Sequence, residues 1–168
     1  MVNSLLFTVV LPVIFILHNI EEYVSFDPSA WSFYRFIGNE FYNRAVFFYA
    51  LCLLSITVIV AVTLNYIYAG SLLHALVVIT FFSIFINSLE HCAVSLWRRK
   101  ILPGTISSVL LIIPFSLYAL IVGHKDMFVG IQGALNYVFV SFIVMVVAVF
   151  LGLWSGFFID KLMSYFKR

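Results

Sequence analysis

Five ionisable side chains sit where a strongly apolar chain should have none. His18, Glu21 and Glu22 close one apolar stretch, while Glu90 and His91, with Asn87 just before them, interrupt another. On a helix His18 shares a face with Glu21 at i,i+3 and with Glu22 at i,i+4, and Asn87 stands in the same relation to Glu90 and His91. Each ionisable group at mid-membrane costs about 2.5–3.5 kcal/mol even on the mildest insertion scales, so each needs a partner or a purpose. Two imidazoles and three carboxylates are the ligand inventory of a site for one transition metal or two, with Asn87 as a further ligand. Such nitrogen and oxygen donors favour iron, manganese or zinc over copper(I), which prefers sulfur. Without a metal, His18, Glu21, Glu22, Glu90 and His91 make an acid–base set in a low-dielectric pocket, suited to isomerising or hydrating an apolar substrate.

The elements that position these groups must be membrane helices. Of 168 residues, 64% are apolar and 10% charged, against roughly 25% charged in ordinary soluble domains. The expectation is an all-α integral membrane bundle forming one domain over 1–168. Its spans fall at about 4–23, 44–69, 72–97, 104–123 and 134–160. The first apolar run lacks a basic flank and a small-residue cleavage site, so it reads as a retained span, loosened or bent at Pro12. Asp27-Pro28 opens an aromatic segment, about 28–37, suited to lie along the headgroups as an interfacial amphipathic helix. With five spans, Arg35, Arg44, Arg98, Arg99, Lys100, Lys161, Lys167 and Arg168 fall on one side and Lys125 on the other. This asymmetry places the N-terminus outside and the C-terminus in the cytoplasm.

The first and third spans then run in the same direction. The Asn87-Glu90-His91 set precedes the Arg98 cluster by roughly 10–16 Å of helix, at a depth comparable with that of His18. The two sets can therefore converge, provided the spans touch, which hydrophobicity alone does not specify. His18-Asn19-Ile20-Glu21-Glu22 resembles the named motif of the HXXEE family of small integral membrane proteins. That family also carries a further histidine, matched by His91, and a tyrosine-x-proline-glycine element. Ile101-Leu102-Pro103-Gly104 fits the element with isoleucine in place of tyrosine. The resemblance supports the site and implies no particular activity.

The leading expectation is a membrane-embedded, metal-dependent enzyme acting on a lipophilic substrate, a lipid or isoprenoid, at a cytoplasm-proximal His/Glu centre. Phenylalanines lining a cavity could stabilise a cation through their ring faces. A small transporter, or a proton- or metal-handling subunit with a path through His74, Thr80, Ser83 and Asn65, is the alternative. A metal-free isomerase or hydratase and a purely structural helix fastening are further readings. Partners are membrane lipid and the hydrophobic substrate, with no nucleic acid, because the basic residues are scattered at helix ends. Gly152 and Gly156 permit close helix approach, within the chain or in a homodimer. Cys52 and Cys92 have neither metal-site nor redox spacing and read as buried thiols.

Overall fold

A computed structural model describes residues 5–28, 41–68, 71–127 and 130–166, and among these the chain is all-helical. Helix α1 is Leu5–Val24, α2 Arg44–Tyr68, α3 Ser71–Arg98 and α5 Gly130–Phe166. Between α3 and α5 runs α4, over 105–127, built from Thr105–Ser107, a π-helical turn at Ser108–Ile112 and Ile113–Met127. Among the described residues Arg44–Tyr68, Leu72–Arg98 and Leu135–Phe166 are long and apolar enough to cross a membrane, and Thr105–Ile121 is a shorter apolar helix. The segment expected to form an interfacial helix lies, beyond Pro28, outside the described residues.

Large apolar side chains are exposed on all these helices, among them Val13, Val60, Leu72, Ile121 and Phe139. That is the surface of a bundle whose solvent is lipid. Inside, Leu11 and Phe15 of α1 pack with Val58 and Val62 of α2, Val77 and Phe81 of α3 and Ile112 of α4 in one cluster. Pro12 does not break α1, which is continuous through it. The π turn has a local cause in Pro114, which has no N–H to donate to the Leu110 carbonyl and whose ring crowds the preceding turn. The chain responds by widening, with the Ile113 N–H reaching the Ser108 carbonyl, a distortion common at functional sites.

Helix α5 lies against α2 through its glycine pair. A Cβ at Gly152 would make ordinary contact with Leu54 and Ala50, whereas one at Gly156 would run into the Val46 carbonyl and sit 3.2 Å from the Ala50 nitrogen. The small-residue face anticipated for close helix approach is thus used within the chain. Gly156→Ala should lower stability in detergent by about 1–3 kcal/mol, the usual cost of overpacking, while Gly152→Ala is nearly neutral. Unfolding in mixed micelles measures both. Ser83 adds a polar link by donating to the Ser141 carbonyl of α5 at 3.0 Å.

Candidate metal centre at the Pro-Gly turn

Three of the sequence-predicted residues meet. His91 Nε2 lies 2.7 Å from Glu22 Oε1, and His18 Nε2 lies 3.6 Å from the same oxygen. The two imidazole rings pack edge to face with centroids 5.1 Å apart, and His18 and His91 are each no more than 1% exposed. One ligand atom from each of His18, Glu22 and His91 falls within a 4.8 Å set. The first and third long helices therefore meet at this centre.

The hydrogen-bond chain around His18 suits one tautomer. The Ser107 hydroxyl can donate to the Gly104 carbonyl at 3.3 Å, so its oxygen accepts from His18 Nδ1–H at 2.9 Å. Nε2 is then an acceptor, paired with the Asn87 amide nitrogen at 3.4 Å. That nitrogen and the Glu22 carboxylate, both acceptors, lie 3.6 Å apart in a buried site.

A tightly held turn forms one wall of the centre. Helix α3 ends with Arg99 in the left-handed region at φ 51°, the Arg99 N–H bonding the Leu96 carbonyl and the Lys100 N–H the Ser95 carbonyl. This is the Schellman pattern. Next, the Ser95 hydroxyl accepts the Leu102 N–H at 3.1 Å and pairs with the Thr105 hydroxyl at 2.6 Å. Leu102-Pro103-Gly104-Thr105 is a type II β-turn closed by the Thr105 N–H on the Leu102 carbonyl, with Gly104 at φ 81° and ψ −10°. Proline first and glycine second are the residues such a turn demands. Lys100 also bonds Asp27 at 3.2 Å, bringing the chain after α3 to the chain after α1.

Glu21 and Glu90, expected as ligands or catalytic groups, stand outside the three-residue cluster. The Glu21 carboxylate accepts the Ile106 N–H at 3.0 Å and the Ser107 N–H at 2.6 Å. It caps the first turn of α4 from another helix, where the backbone donors lack intrahelical partners. Its role is to hold Ser107 against His18. Glu21→Ala should therefore cost about 1–3 kcal/mol of stability through the stranded amides. Faster hydrogen exchange confined to Ile106 and Ser107 would be its local signature. Glu90 is exposed beside a cavity of about 410 Å³.

That cavity runs between α1, α2, α3 and α5 and is mostly apolar, with Glu22, His91 and Asn87 among its lining residues. Asn19, the second residue of the motif, also faces it while its amide nitrogen donates to Ser55 at 2.9 Å. Tyr42 lines it too, and burial holds its phenol well above the usual range, with the Glu22 and Asp27 carboxylates pushing the same way. Thr80 and Ser83 of the anticipated path line this cavity; Asn65 is buried elsewhere on α2, and His74 is not among the lining residues. Cys52 and Cys92 are free, half-buried thiols.

Ser107, Asn19, Ser95 and the intrusion of Gly104 were not foreseen from the sequence. A serine three residues after a Pro-Gly turn was the one local signal for Ser107.

An all-helical membrane bundle with a buried His-Glu-His centre walled by a Pro-Gly turn is thus the class of protein defined by fold and site. Residues 9–119 match the family model described as a protein of unknown function with HXXEE motif, and the chain belongs to that family. No curated protein and no solved structure matches it.

Proposed function

We propose that this protein is a membrane-embedded enzyme that holds one divalent transition metal, iron, manganese or zinc, on His18, Glu22 and His91 and acts on a lipophilic substrate in the adjoining cavity. One observation carries the reading: one ligand atom from each of His18, Glu22 and His91 lies within a 4.8 Å set in a buried site, with His18 Nε2 and His91 Nε2 both directed at Glu22 Oε1. Three donor atoms so placed can close on one cation. Two histidines and one carboxylate with open positions form a recurrent catalytic ligand set.

The surroundings suit that role. Ligating histidines commonly donate their other ring N–H to a protein acceptor, which fixes ring and tautomer. Ser107 provides this acceptor for His18. A bound metal would supply Lewis acidity or an activated water at neutral pH. Three ligands suffice for one ion, so a two-metal centre using Glu21 and Glu90 is not part of the proposal.

The metal-free alternative has one specific support, the 2.7 Å contact between His91 and Glu22, a carboxylate–imidazolium or carboxylate–imidazole pair able to move a proton. Elemental analysis of the detergent-purified protein, prepared with iron, manganese and zinc supplied, separates the two. About one ion per chain supports the metal enzyme. Its absence, with the fold retained, overturns it in favour of acid–base chemistry.

The proposal includes a five-span topology with the N-terminus outside. α1 has 20 residues, enough at 1.5 Å per residue for a hydrocarbon core of about 30 Å. The Lys100–Asp27 pair joins the ends of α1 and α3, which supports a shared side for them, and the charge asymmetry of the sequence assigns eight of the nine basic residues to that side. The centre then lies nearer the cytoplasm.

A further inference from the structure

The polar groups lining the cavity share one property. Thr57 donates its hydroxyl proton to the Leu53 carbonyl, Thr80 to the Leu76 carbonyl and Ser83 to the Ile79 and Ser141 carbonyls. The amide nitrogens of Asn19 and Asn87 each spend one of their two N–H donors on Ser55 and His18, neither of which lines the cavity. Apart from the neutral Tyr42 phenol, the second amide N–H of Asn19 and of Asn87, and the His91 N–H already held by Glu22, the polar lining consists of oxygen acceptors. Glu90 adds a carboxylate that has no hydrogen bond or ion pair among the described residues. A carboxylate on a membrane helix is costly and points by default to a functional site.

We infer that the cavity takes a lipophilic amine, an apolar chain or ring system ending in an ammonium group, with Glu90 as its counter-charge. An ammonium brings three donors and no acceptor, whereas a hydroxyl brings acceptor lone pairs and a carboxylate brings only acceptors. An acceptor-lined pocket therefore matches the ammonium best. The rings of Phe15, Tyr42 and Phe47 in the same lining add faces that attract a cation. The cavity's size falls in the range for ligands of drug or short-lipid size. The inference deepens the proposed function: it rests on reading this cavity as the substrate's seat and does not rest on the metal.

The test is equilibrium binding of dodecylamine, dodecanol and dodecanoate to the full chain in phosphocholine nanodiscs, with empty nanodiscs subtracted. Saturable amine binding at least about tenfold tighter than the alcohol, a preference that Glu90→Gln erases without weakening the alcohol, is the expected result. Equal or tighter binding of the alcohol or the acid overturns the proposal, as does an amine preference that survives Glu90→Gln. Ala148→Phe, which fills the cavity from α5, should weaken the amine; unchanged binding would place it elsewhere and overturn the assignment. Failure of all three probes with metal still bound would remove the cavity from the model of function. A metal-free protein that still selects the amine would instead remove only the metal.

Discussion

Alanine at His18, Glu22 or His91 should each reduce bound metal from about one ion per chain to less than about a tenth, because three ligands leave none to spare. Glu21→Gln and Glu90→Gln should retain it. The contrast matters, because all five residues are equally conspicuous in an apolar sequence. The structure separates a carboxylate 2.7 Å from His91 from one spent on the Ile106 and Ser107 amides and one at the cavity edge. Loss of metal in Glu21→Gln as complete as in His18→Ala would contradict that division. Removing one member also strands the others: a buried carboxylate left without its histidine costs about 3–5 kcal/mol. An apolar control is therefore needed. In His91→Leu with Glu22→Met the buried pair is replaced as a whole, which is often neutral for stability. A folded but metal-free double variant would tie the loss to ligation.

The helical fold was largely legible from the sequence, and the reason is the solvent. In lipid every backbone polar group must be satisfied within its own segment, so an apolar run of membrane length has little choice but helix. The α1 and α3 boundaries accordingly lie within a residue or so of the apolar runs at 4–23 and 72–97. Pro12 was the local exception, and α1 stays continuous through it although its missing N–H lies past the first turn. The site was legible only where it is local. His18 and Glu22 sit on one helical face, and i,i+4 geometry alone brings them together.

What decides the rest is long-range. Glu21 and Glu22 are neighbours in sequence, yet one points to amides 85 and 86 residues away and the other to His91. No periodicity distinguishes them, since a helix rotates successive side chains by about 100° and the identity of whatever each meets belongs to another segment. Ser107 was hidden for the same reason. Its hydroxyl matters because the Pro-Gly turn and the π turn that follows carry it under His18.

The turn itself yields the sharpest expectation. Gly104→Ala should empty the centre, although the substitution adds a single methyl group outside any ligand. At φ 81° a side chain costs about 1–2 kcal/mol of backbone strain. The added Cβ would also lie 2.8 Å from His18 Cε1 and 3.0 Å from both Glu22 Cγ and His91 Cε1. None of these atoms is the free end of a flexible chain: Ser107 and Asn87 hold the His18 ring on its two nitrogens, and Glu22 holds His91. The methyl must displace the turn or spread the ligands. Spreading by about 1 Å is enough to cost on the order of 100-fold in a positioned site. Metal affinity should fall by at least that much, and stability by on the order of 3 kcal/mol. Pro103→Ala isolates the geometric effect, because it leaves Gly104 in place and changes mainly the freedom of the unfolded chain, a matter of about 0.4–1 kcal/mol. Elemental analysis and thermal unfolding of the two variants side by side should show metal retained in Pro103→Ala and lost in Gly104→Ala. Metal retained equally in both would mean that the Pro-Gly turn is only a connection between helices and forms no wall of the centre.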